Sequence, residues 1–168
     1  MASKSGIKVV GLKEYMKKLE RMGANVSDEA EIAMKKVCVY GEAEVKKVLG
    51  PDGGTRTGKV YETGKSGERY AEHQASAPGE PPAILHGKLR TSISYKIEKE
   101  ATFVKGSVGP IGEDRDEETD EYSKTLELGR EKMAPRPYLV PTLQREAKNM
   151  VEIVRKSLKQ SLQKYRKK

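Results

Sequence analysis

Apolar positions along the chain follow two spacings, one helical and one alternating. Leu12, Tyr15, Met16, Leu19 and Met22 recur three and four residues apart and predict a short amphipathic helix closed by Gly23, Ala24 and Asn25. A longer helix is predicted over residues ~27–49. Ser27 is its N-cap, with Asp28 and Glu29 set against the helix dipole, and Lys46 and Lys47 precede the Gly50–Pro51 stop. Ala33, Val37, Tyr40 and Val48 lie near one face, and Met34, Cys38, Val45 and Leu49 widen the stripe until it implies burial on two sides. Leu89, Thr91, Ile93, Tyr95 and Ile97 then alternate with polar residues as a half-buried strand does. Residues 98–102 turn the chain into a second strand, Phe103–Val108, which pairs with the first as a hairpin. The acidic run 113–121 reads as a surface loop and Tyr122–Leu128 as a short helix stopped by Gly129. A last long helix runs over residues ~141–165: Pro141 suits a first helical turn, and Leu143, Ala147, Met150, Val151, Val154, Leu158 and Leu162 form a continuous stripe.

Between these elements, residues 50–88 are dense in Gly, Pro, Ser and Thr and poor in apolar side chains. A stretch this long without regular structure is uncommon inside a compact domain, and it reads as an extended arm or loop. The expected fold is therefore α+β within a single domain spanning 1–168: a small antiparallel β-sheet packed against two long helices (~27–49 and ~141–165), with an extended Pro/Gly-rich arm.

Composition adds that this core is thin. Apolar residues make up 35% of the chain and charged residues another 35%, against globular averages of roughly 45–50% and 25%. Extended arms, or burial against other subunits, would account for that deficit. No apolar run approaches the ~20 residues of a transmembrane helix, and the N-terminal MASKSGIKVVG has no apolar signal-peptide core. The single Cys38 leaves no internal disulfide framework, so synthesis in a reducing cytoplasm is expected.

The net charge of +8 is concentrated. Residues 145–168 hold nine Lys or Arg and two Glu, a net +7, whereas 113–121 hold seven acids and one Arg, a net −6. Two such segments suit either plain solvation or complementarity with a partner surface, and a basic tail over 163–168 also suits nucleic-acid phosphates.

Candidate chemistry is sparse. Gly53-x-x-x-x-Gly58-Lys59 approaches a phosphate-binding loop, but Val60 stands where that motif needs Ser or Thr, and a helix precedes it where a strand should. His73 and His86 have no paired-ligand spacing, Cys38 sits among apolar neighbours, and the acids of 113–121 lack the glycine and spacing of a calcium loop. The expectation is a binding or assembly protein, not an enzyme, with no cofactor and no metal.

Two segments carry a resemblance. HQASAPGEPPAILHGKLRTSI (73–93) holds Ala-Ser-Ala-Pro-Gly-Glu-x-Pro-Ala followed by Gly-x-Leu-x-x-Ser-Ile, and LELGREKMAPRPYLVPTL (126–143) holds Leu-Glu-x-Gly and Arg-Pro-aromatic-Leu-x-Pro. With the opening Val9, Gly11, Leu12 and Leu19, these resemble, in order and spacing, the phage neck family of head–tail joining, tail-completion or minor tail proteins. The chain departs from that pattern at His86, where Thr or Ser is usual, at Leu128 in place of an aromatic, and at Arg130 in place of Thr.

The resemblance implies a viral structural protein of a long-tailed phage or prophage. Such a protein is made in the host cytoplasm and sits in the virion neck or tail as a ring oligomer, a hexamer where it matches tail symmetry. The expected partners are further copies of itself, an adjacent head-completion or connector protein, and a tail-tube or tail-terminator protein, without a membrane. A tail-terminator ring and a basic nucleic-acid-binding protein are the alternatives.

The contact residues expected are Pro78, Glu80 and Pro81 in the arm, Glu127, Arg136 and Tyr138 in the second motif, and Lys164, Arg166, Lys167 and Lys168 in the tail. The sequence leaves open whether the Pro78–Pro82 stretch is an inter-subunit arm or a stiff connector. It equally leaves open whether Glu127 pairs with Arg136 or Arg130 or with a neighbour, and whether Tyr138 is core. The basic tail meets either an acidic surface, such as a neighbour's 113–121 stretch, or DNA in the lumen.

Overall fold

The computed structural model describes residues 12–21, 26–50, 60–61, 73–84, 87–100, 103–112, 116–131 and 133–166. They form helices α1 (Leu12–Arg21), α2 (Val26–Val48), α3 (Lys88–Ser92), α4 (Glu117–Leu128), α5 (Val140–Arg145) and α6 (Ala147–Arg166). The strands are β1 (Val60–Tyr61), β2 (His73–Gln74), β3 (Ile93–Lys99) and β4 (Val104–Pro110). The architecture is α+β, with a two-stranded antiparallel β3–β4 sheet among helices. The chain divides into two compact units: one of 1–42, 95–108 and 144–168, the other of 43–94 and 109–143.

In the first unit, α1 packs on α6, and side chains bridge α2 to α6. Lys36 Nζ donates to Ser157 Oγ at 3.1 Å and Tyr40 Oη to Glu146 at 2.7 Å, while Ser161 Oγ donates to the buried Glu29 carboxylate. Ala33, Val37, Cys38, Met150, Val154 and Leu158 are the buried apolar side chains. The hairpin turn closes with Glu100 N–H donating to Phe103 O at 2.9 Å. Lys99 ties the hairpin to α2 through Asp28 and Glu31, at 2.6 and 3.1 Å. β4 approaches α2 closely because position 106 is glycine: a Cβ there would lie 2.3 Å from Cys38 Sγ and 2.9 Å from Met34 Cγ and Sδ.

In the second unit, the last turn of α2 ends as Gly50 N–H bonds Lys47 O at 2.9 Å. β1 and β2 pair antiparallel, Val60 with Gln74 and Tyr61 with His73. α3 packs on α4, and Gly112 N–H reaches Ser92 O at 2.7 Å. Val45, Leu49, Ala83, Ile93, Leu126 and Tyr138 are the buried apolar side chains.

Three elements differ from the sequence expectation. Residues 89–92, read as the start of a strand, belong instead to α3. Gly87 opens the turn at φ 78, and the Thr91 and Ser92 hydroxyls bond carbonyls three residues back, at 3.0 and 2.9 Å, a local pairing that competes with a ladder. The acidic run read as a loop is, from Asp116 onward, the cap and first turns of α4. Asp116 Oδ1 accepts from Thr119 N at 2.7 Å, and Glu117, Glu118 and Asp120 meet the positive end of the helix dipole. The last helix, expected over ~141–165, is interrupted by a turn at Glu146, whose carboxylate is engaged by Tyr40, Arg145 and Asn149.

Candidate interaction site

The two segments that carry the resemblance meet in the second unit. After β2 the chain runs through Ala75–Ile84 without regular structure, yet Ser76, Pro82 and Ala83 are buried. Gly79 N–H donates to Pro135 O at 2.9 Å and Arg136 Nε donates to Ser76 O at 3.1 Å. Arg136 N–H in turn donates to Leu126 O at 2.6 Å. The first motif is thereby fastened to the connector that follows α4, and the connector to the end of α4.

Glu127 completes the fastening. Its carboxylate accepts the backbone N–H groups of Tyr138, Leu139 and Val140 at 2.9, 3.1 and 2.9 Å. These are donors at the opening of α5, where helical amides lack intrahelical acceptors. Tyr138 is 1% exposed, and its hydroxyl shares a 2.7 Å hydrogen bond with the buried Ser123. Burial pushes the Tyr138 phenol up to about 12, with the Ser123 bond opposing, so it stays protonated as a hydrogen-bonding group. Among the described residues the buried Ser76 hydroxyl has no hydrogen-bond partner.

Gly129 sits between the two halves of the second motif. Its φ of 78 and ψ of 172 fall in a region open only to glycine, and a Cβ would come within 3.0 Å of Met133 O and Pro135 Cδ. Its N–H closes α4 on Thr125 O at 2.8 Å. The chain then makes a tight turn in which Arg130 and Met133 exchange backbone hydrogen bonds, at 2.8 and 3.0 Å, while the Arg130 guanidinium pairs with Glu121. Outside this turn lies an open groove of about 580 Å³ lined by Leu128, Arg130, Met133 and Pro135 among others. Leu128 stands 78% exposed at its edge.

The residues expected to face a partner therefore fall into three groups. Glu127, Arg136 and Tyr138 direct their polar atoms within their own chain, so they position the groove instead of facing outward. Pro78 is exposed, and Glu80 and Pro81 are half-buried, in a segment read as a free arm that is seated against residues 135–136. Lys164 is exposed at the end of α6, with its Nζ 5.8 Å from the centroid of the Tyr165 ring, and Arg166 is the last helical residue. Lys167 and Lys168, like His86 and most of the 50–72 stretch read as part of the arm, lie outside the described residues.

Sequence reasoning did not single out Leu128 as an exposed apolar side chain, although its place immediately before a helix-stopping glycine was visible. It also missed Asp116, whose Asp-Glu-Glu-Thr context is an N-cap signal. Burial pushes the Cys38 thiol up to about 11, which keeps it protonated and unreactive. Among the described residues no group of His, Cys, Asp and Glu could hold a metal ion, and no helix is long and apolar enough to cross a membrane. The arrangement presents apolar and charged surface on a fastened scaffold.

Compared with family models, with curated proteins and with solved structures, the chain finds no match.

Proposed function

We propose that this chain is a structural protein of a phage neck, joining or completing the tail at the head–tail interface as a ring of identical copies. The observation that carries the reading is the union of its two motif segments. Residues 73–84 and 126–140, distant in sequence, fasten one another through Gly79–Pro135, Arg136–Ser76 and Glu127 with three amides. The segments by which the chain resembles the neck family thus act together as one scaffold.

Surface composition supports the same reading. Ile32, Val39, Phe103, Tyr122 and Leu128 are large apolar side chains left more than a third exposed in a chain already poor in apolar residues. Such residues are suited to burial by neighbouring subunits and adjacent connector or tail-tube proteins. The exposed basic residues Lys148, Lys156, Lys159 and Lys164 on α6 favour a second contact, with the phosphates of DNA in the lumen or with an acidic protein surface.

Extracts from cells carrying the phage with this gene deleted provide the test. Filled heads and finished tails should accumulate unjoined, and added full-length protein should restore joining. Particles that join normally without the protein would contradict the proposal.

A further inference from the structure

We propose that the outward face of α2 in one copy receives the acidic opening turns of α4 from a second copy. The inference rests on the ring reading above and names the surfaces through which copies meet. Ile32, Lys35, Lys36 and Val39 stand at the i, i+3, i+4 and i+7 positions of α2 and so share one face. They line a shallow groove of about 400 Å³, and Ile32 and Val39 are 46% and 47% exposed there. Lys36 reaches back to Ser157, whereas Lys35 has no partner among the described residues. The face therefore offers two apolar side chains and a free cation, a combination that fits an apolar side chain flanked by carboxylates.

α4 carries that complement. Glu117, Glu118, Glu121 and Tyr122 lie at i, i+1, i+4 and i+5 and are all exposed. Neither Glu117 nor Glu118 has a partner among the described residues. In a chain of net charge +8, this is part of the one segment of concentrated negative charge. Each copy bears both faces, and we take the contact as head-to-tail, every copy receiving one neighbour and being received by another, as in heterologous interfaces whose rotation closes into a ring. The opposed charges fix the register, and the tyrosine ring covers Ile32 and Val39.

The experiment uses full-length chains in assembled necks. Copies carrying Val39→Cys are co-assembled with separately tagged copies carrying Glu118→Cys and treated with a short bis-maleimide linker; Cys38, buried, remains the background in both. A cross-link between the two tags is expected. It should fall about tenfold when the first chain also carries Lys35→Glu, since like charges then face each other, and recover when the second carries Glu117→Lys. Because these side chains are exposed, the melts of Val39→Cys and Lys35→Glu should match the parent, and Glu118→Cys and Glu117→Lys should lower it only by the modest helix-dipole contribution of the first turn of α4. Two results would overturn the contact while leaving the ring reading intact: copies present in the neck without the cross-link, or a cross-link indifferent to Lys35→Glu. A cross-link lost on truncation after Tyr165 but indifferent to Lys35→Glu would assign the acidic turns to the basic tail and overturn it too. Necks holding a single copy would defeat the ring reading itself.

Discussion

The carboxylate of Glu127 accepts the backbone N–H of Tyr138 at 2.9 Å, and the same group takes the amides of Leu139 and Val140. One side chain near the end of α4 thus holds the connector and opens α5. Hydrogen bonds to a charged group contribute about 1.5–3 kcal/mol, and losing the acceptor leaves amides unsatisfied. Glu127→Ala should cost about 3 kcal/mol by chemical denaturation, and Glu127→Gln, which keeps one carbonyl oxygen, should cost less. A loss within about 0.5 kcal/mol, as for an ordinary surface site, would show that the three amides are held by something else.

Gly106 and Cys38 define a second tight point. An alanine at 106 would put its Cβ 2.3 Å from Cys38 Sγ, and the Met34 side chain crowds it from 2.9 Å. Overpacking of this kind costs about 1–3 kcal/mol. Gly106→Ala should lower the thermal midpoint, and adding Cys38→Ala should recover much of the loss, because the sulfur is the nearest obstacle. Additive losses in the double variant would place the strain elsewhere.

Acid should weaken the junction between α5 and α6. Bonds from the Tyr40 hydroxyl, the Asn149 amide and Arg145 hold the Glu146 carboxyl down from 4.5 to about 2. Its folded value lies below its unfolded one, so the contribution is full above about 4.5 and drains away as pH falls through about 2. Melts recorded down that range should fall more steeply for the parent than for Glu146→Gln. Parallel curves would mean that the carboxylate is not selectively stabilised in the folded chain.

The helical stripes made α1 and α2 legible within a residue or two at each end, but Ser27, expected as the N-cap, is the second residue of α2, and Gly23, Ala24 and Asn25, expected to close α1, lie outside the described residues. Leu89–Ser92 misled because a short alternating run fits a strand and a helical turn alike, and hydroxyl bonds to local carbonyls decided it. The acidic run misled because charge density suggests solvated loop, whereas an N-cap and the helix dipole favour the same acids in a first turn. In the candidate site the positions Glu127, Arg136 and Tyr138 could be picked out, but their roles could not. Two of the three bind backbone amides and carbonyls, and these carry no residue identity for a sequence to reveal. The seating of residues 75–84 was hidden for the same reason: Gly79 holds Pro135 through main chain alone.

The central claim is that identical copies of this chain form a ring in a phage neck. Mass measurement of neck assemblies purified from joined particles tests it most directly. The account predicts a closed set of copies, a hexamer where the ring follows tail symmetry. A single copy per particle, or particles that contain none, would contradict it.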